Sequence, residues 1–137
     1  MRHVIPCFRF TDAPAMVAWL CRVFGFEPTM VVEDGEGGIA HAQLAGGAGM
    51  LMVGSRRDDA FGRHLSSSAA LGATTTCLYL VVDDADAIHA RALEAGAELV
   101  MPLADKDYGG REFTCRDPEG GLWSVGTYDP FAAAGGA

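Results

Sequence analysis

Residues 108–128, YGGREFTCRDPEGGLWSVGTY, spell two strands around a turn. Residues 111–116 are rich in aromatic and β-branched side chains and read as extended. Asp117-Pro118-Glu119-Gly120-Gly121 is the turn, because proline presets φ and glycine reaches positive φ without a steric cost. Residues 122–127 form the return strand. A lone hairpin is marginal in water, so the rest of the chain must supply a sheet for it to join.

The N-terminal half shows how that sheet is built. Residues 4–10 are a short apolar strand, and Asp12 then offers a helix N-cap with Pro14 in the first turn. Met16, Leu20, Val23 and Phe24 recur at helical spacing over 13–24, and Gly25 stops the helix. Strands follow at 28–33, 39–44 and 50–53, separated by glycine-rich turns, which gives the order βαβββ. Residues 55–75 break the pattern: they are polar, rich in Ser, Ala and Gly, without a sustained period, and read as a linker that carries one short helix. The pattern then restarts. Residues 77–82 are a strand, and Asp84 caps a helix over 85–95 that presents Ile88, Ala92 and Ala95 on one face and ends at Gly96. A strand over 98–101 and a loop through Asp105-Lys106-Asp107 lead into the hairpin.

A shift of about 72 residues superposes the two halves, with Asp12 on Asp84, Gly37-Gly38 on Gly109-Gly110, and Met52 on Ser124. The predicted organisation is a first βαβββ module at 1–55, a linker at 56–75, a second βαβββ module at 76–130 and a flexible tail at 131–137. Two such modules make an α+β fold with a cupped mixed β-sheet and helices on the outer face. The other face of each sheet then needs a cover, from the second module of the same chain or from a partner chain.

At 137 residues, half of them hydrophobic, the chain has material for a core in one compact unit or two small halves. No apolar run reaches the roughly 18 residues of a membrane span. The N-terminus MRHVIPCFRF also lacks a signal peptide's apolar core and cleavage site, so a cytoplasmic location is expected. A net charge of −8 argues against nucleic acid as a partner and leans slightly toward a cationic small ligand. Cys7, Cys21, Cys77 and Cys115 form no CxxC pair and read as buried free thiols in a reducing compartment.

The closing RDPEGGLWSVGTY, supported by VVDDADAIHARALEAGAE and by FTDAPAMVAWLCRVFGFE, resembles the vicinal oxygen chelate superfamily of glyoxalases, extradiol dioxygenases, and fosfomycin- and bleomycin-resistance proteins. The resemblance implies one metal ligand, usually His, Gln or Glu, on the first and last strand of each module. Carried onto this chain, those positions are Ile5, Met52, Cys77 and Ser124. A divalent cation for that chemistry wants imidazole or carboxylate donors, and a single thiol does not hold one. His3 is the only nearby substitute, while His41, His64 and His89 have no ligand spacing. No metal, cofactor or catalytic residue is therefore expected. The resemblance is nearest to the metal-free bleomycin-resistance-like subclass, which sequesters a drug unaltered and forms dimers whose modules cover one another.

Strand alternation assigns faces. Ile5, Cys7, Arg9, Met50, Met52, Cys77, Tyr79, Leu122 and Ser124 share the face turned away from the helices and are the candidate ligand-binding set, with Phe61 on the rim of the linker. Trp123, which parity places under the helix with Leu51, Val53 and Val125, is also taken as contact area. Methionine adapts to irregular apolar guests, and tyrosine combines stacking with a hydrogen bond. The expectation is a homodimer, its modules paired within a chain or swapped between chains, that binds an aromatic or peptide-like small molecule. Antibiotic self-resistance is its most specific form. The competing reading is a lyase or isomerase of the same fold with an atypical or relocated metal site, or a thiol-dependent catalyst through Cys77. A third is a structural dimer without a ligand.

Overall fold

The computed structural model describes residues 1–135, which fold as two units divided between Ala73 and Thr74. In the first, strand β1 (Cys7–Phe10) leads into helix α1 (Ala13–Phe24), followed by β2 (Glu27–Glu33), β3 (Ile39–Gly46) and β4 (Gly49–Ser55). The sheet order is β1-β4-β3-β2, with β1 parallel to β4 and the other pairs antiparallel. Asp12 caps α1 by accepting from the Ala15 amide at 3.1 Å, and Gly25 ends it at φ 80°, a conformation that a Cβ would strain. Met16, Leu20 and Val23 are buried against the sheet, as their spacing requires. Trp19 joins them, stacked edge-on against Phe24, which extends the apolar stripe beyond the set picked from the sequence.

The second unit repeats the plan. Strand β5 (Cys77–Val81), helix α3 (Ala85–Glu94), β6 (Glu98–Asp105), β7 (Arg111–Arg116) and β8 (Leu122–Gly126) form a sheet of order β5-β8-β7-β6, again with its first and last strands parallel. Asp84 caps α3 through the Ala87 amide. Ile88 and Ala92 face Phe113, Cys115, Trp123 and Val125 in a buried core. The fold is thus α+β, built from two βαβββ modules with each helix on one face of its own mixed sheet.

Four local expectations change. The first strand starts at Cys7 rather than at residue 4, because Pro6 has no amide to give the ladder, though its carbonyl still accepts from the Met52 amide at 3.0 Å. Strand β6 runs on through Pro102 to Asp105, four residues past the expected end, because β6 is an edge strand where a bulge between Met101 and Ala104 absorbs the proline. The segment expected as a linker belongs largely to the first unit: it forms a 3₁₀ turn (Gly62–His64) and helix α2 (Ser68–Leu71), whose N-cap Ser67 is buried and shares a 2.7 Å hydrogen bond with Thr11. Where a flexible tail was expected over 131–137, helix α4 (Pro130–Gly135) forms, and residues 136–137 lie outside the described residues.

The hairpin turn is held by a carboxylate. Asp117 Oδ1 accepts from the amides of Glu119 and Gly121, each at 2.9 Å, while Oδ2 accepts from the Trp123 indole at 2.8 Å. Asp34 does the same for the β2–β3 turn, accepting from Glu36 and Gly38, and those amide bonds hold its carboxyl below the usual aspartate range. Replacing the buried Asp117 with Ala orphans three donors at once. Asp117→Ala is expected to destabilise the second unit by about 3 kcal/mol in chemical denaturation, with Asp117→Asn losing less because an amide oxygen still accepts.

Candidate functional site

The parallel pairing of first and last strand sets the rows of side chains on the face of each sheet opposite its helix. In the first unit Cys7 pairs with Met52, and Met52 with Gln43. Arg9 pairs with Gly54, whose missing side chain lets the arginine chain lie across the strand. Arg9 donates to the Ser55 carbonyl, pairs with Asp59 at 3.6 Å, and stands over the Phe61 ring at 5.3 Å. Through Arg9 the Asp59–Phe61 segment is drawn onto the open face. The Asp59 carboxyl is held below its usual range, first by the Gly62 amide and then by Arg9 and Arg57.

A pocket of about 120 Å³ results, lined by Cys7, Arg9, Met52 and Phe61 together with His41, Gly54 and Leu65. Four of the expected ligand-binding residues therefore meet. His41, which lacks ligand spacing in the sequence, shares the face with Gln43, and their side chains are 3.1 Å apart. The period-two alternation of β3, with Ala42 buried between them and Leu44 buried after them, is the signal that points both outward. Ile5 lies ahead of β1, and Met50 is half-buried on β4; neither lines this pocket.

In the second unit Cys77 pairs with Leu122, and Tyr79 with Ser124. Ser124 Oγ is a hub, 2.7 Å from Thr114 Oγ1 and 3.5 Å from Cys77 Sγ. Tyr79 donates to the Tyr128 carbonyl at 2.8 Å, lying where a Cβ on Gly126 would stand 2.5 Å from its hydroxyl. Tyr108 donates to Glu112 and stacks edge-on against Tyr128. That bond to a carboxylate pushes the Tyr108 phenol up to about 12, while burial and Glu112 raise Tyr79. Thr114, Glu112 and Tyr108 were not anticipated, since a strand partner across a hairpin is fixed by register and not by spacing.

Trp123 is the correction to the expected lining. It is 1% exposed, and its indole is spent on Asp117, so it serves the core and the turn. The thiols also depart from the expectation of uniform burial. Cys7 and Cys77 are exposed, whereas Cys115 is buried and its thiol is pushed up to about 12 by that burial beside Asp117.

The positions that the superfamily gives to metal ligands do not suit one here. Cys77 and Ser124 come together, but a thiol and a hydroxyl are a poor pair, Met52 offers a soft thioether, and Ile5 offers nothing. Among the described residues, no three His, Cys, Asp or Glu side chains cluster to hold an ion.

The sequence model of the family described as "Glyoxalase/Bleomycin resistance protein/Dioxygenase superfamily" matches residues 2–125. The Mycobacterium bovis protein Mb0911c is 30% identical over 115 residues, spanning 84% of this chain and 76% of its own. Among solved structures, TioX from Micromonospora sp. ML1 is 36% identical, with a TM-score of 0.72 over 90% of this chain and 96% of its own. A glyoxalase-related enzyme from Fulvimarina pelagi, 18% identical with a TM-score of 0.64 over 92% of this chain and 88% of its own, shares the fold.

Two outcomes check the geometry. A thiol reagent is expected to modify Cys7 and Cys77 in the native protein and Cys115 only after unfolding, as read by mass spectrometry of digested protein. In a spectrophotometric titration, Tyr108→Phe should remove the phenol that ionises near 12, and Glu112→Gln should bring it down toward the ordinary 10.0.

Proposed function

This chain belongs to the Glyoxalase/Bleomycin resistance protein/Dioxygenase superfamily, and within it we propose that it binds and sequesters a small aromatic or peptide-like molecule without a metal. Antibiotic self-resistance in the cytoplasm is the most specific form of that reading. The observation that carries it is the chemistry of the open faces. Met52, Cys7 and Phe61 line a soft pocket beside the guanidinium of Arg9, and Met52 holds one of the positions that the resemblance assigns to a metal ligand. The pocket's volume approaches the ~150 Å³ that admits one benzene-sized ring. A larger guest would lay the rest of its surface along Met50 on the first sheet. Fully burying a ring of this kind contributes about 1.5–3 kcal/mol, so micromolar affinity takes several contacts.

The same proposal includes a homodimer. Met30, Val31 and Val32 on β2, and Leu99, Val100 and Met101 on β6, leave apolar edge strands exposed. Such edges are covered in stable proteins. Sedimentation is expected to give twice the chain mass of 14.4 kDa.

The test is a melting screen of chelator-treated protein against aromatic and peptide antibiotics. A true ligand at about 100 times its Kd adds about 2.7 kcal/mol of stability. Its effect should survive chelation and weaken about tenfold in Met52→Glu, which puts a charge in the pocket. A transition metal that co-purifies at one per chain, and whose removal abolishes ligand binding, would instead favour the lyase or isomerase reading.

A further inference from the structure

The chain carries a net charge of −8, yet one crevice of about 510 Å³ on its first unit concentrates cations. Arg56, Arg57 and Arg63 line it, with Asp58 as the sole acidic lining residue. Asp58 is matched to Arg63 at 3.4 Å. Arg57 gives one N–H to the Ile39 carbonyl and reaches Asp59 at 4.0 Å, so part of its fork is free to turn outward. The exposed Arg56 guanidinium has no hydrogen-bond or ion-pair partner among the described residues, and neither has the hydroxyl of Ser66, which lines the same crevice. Leu65 and Leu71 add apolar surface. The volume falls within the roughly 300–1,000 Å³ of small-molecule sites.

Guanidiniums crowded together repel one another, and here Asp58 pairs with Arg63 and the more distant Asp59 with Arg57, which leaves Arg56 without a counter-charge among the described residues. A dianion is the natural counter-charge, and arginine's planar fork matches the oxygens of phosphate in pairs. We propose that this crevice is a binding site for a small phosphorylated organic molecule, with the phosphate held by Arg56, Arg63 and Ser66 and its apolar part against Leu65 and Leu71. The site is distinct from the soft pocket, which shares only Leu65 with it, and it does not depend on the sequestration reading. The field of the whole chain repels anions, so selectivity comes from the local cluster, and binding weakens as salt rises.

Calorimetric titration of the full chain with phenyl phosphate and with inorganic phosphate, at fixed ionic strength, tests this. Phenyl phosphate is expected to bind at one per first unit and more tightly than inorganic phosphate. Arg56→Ala should weaken it about tenfold without changing the melting temperature, as the loss of one charge-assisted contact predicts. Asp58→Asn, which removes the competing carboxylate, should strengthen it. Arg22→Ala makes the same change in net charge on the exposed side of α1 and should leave binding unaltered. The proposal is overturned if neither phosphate saturates in the millimolar range, or if Arg22→Ala weakens binding as much as Arg56→Ala does.

Discussion

In each unit the first strand lies parallel to the last, and that single pairing organises everything else. The strand that follows the first in the chain, β2 or β6, lies at the opposite edge of the sheet, so the chain must cross over the sheet, and it does so as a helix before two antiparallel turns bring the last strand back beside the first. The crossover buries one face under α1 or α3 and leaves the opposite face to whatever the strand sequence places there. It also sets neighbours that are far apart in the chain side by side, Cys7 with Met52 and Tyr79 with Ser124. The last strand of each wall, β4 or β8, is held by backbone hydrogen bonds on both sides, and it carries the first strand at the sheet edge.

Much of this plan was legible in the sequence because local chemistry and global fold agree. The caps at Asp12 and Asp84, the stop at Gly25, and the turn at 117–121 each have a mechanism that operates within a few residues. The resemblance carried by RDPEGGLWSVGTY added the family. What escaped was decided by partners distant in sequence. Pro102 reads as a strand breaker, and is one in a central strand, but the edge position of β6 leaves its missing amide without consequence. The 56–75 segment shows no period because side-chain ties to the first sheet hold it, Ser67 to Thr11 and Arg57 to Ile39, where a repeating apolar stripe would have been visible. Trp123 looks like a ligand-stacking residue by type alone, and a single carboxylate six positions earlier claims its polar edge.

Thioether, thiol, hydroxyl and alkyl groups stand at the positions that the resemblance assigns to metal ligands, and in the second unit Thr114 and Ser124 satisfy each other while Tyr79 satisfies a backbone carbonyl. Polar atoms that are already partnered leave these faces with shape and polarisable surface more than with open hydrogen-bonding sites. Net charge is a poor guide to such local character. An acidic chain still gathers three arginines around one crevice.

Gly126 has a consequence for how this face can diverge. It is buried, and the phenol of Tyr79 fills the space that any larger residue there would need. The two positions are therefore coupled through volume: a lineage that gives residue 126 a side chain must first shrink or swing out residue 79, and with it release the Tyr128 carbonyl that the phenol ties down. A side chain at residue 126 is barred until residue 79 has given way, so the two positions should change in that order.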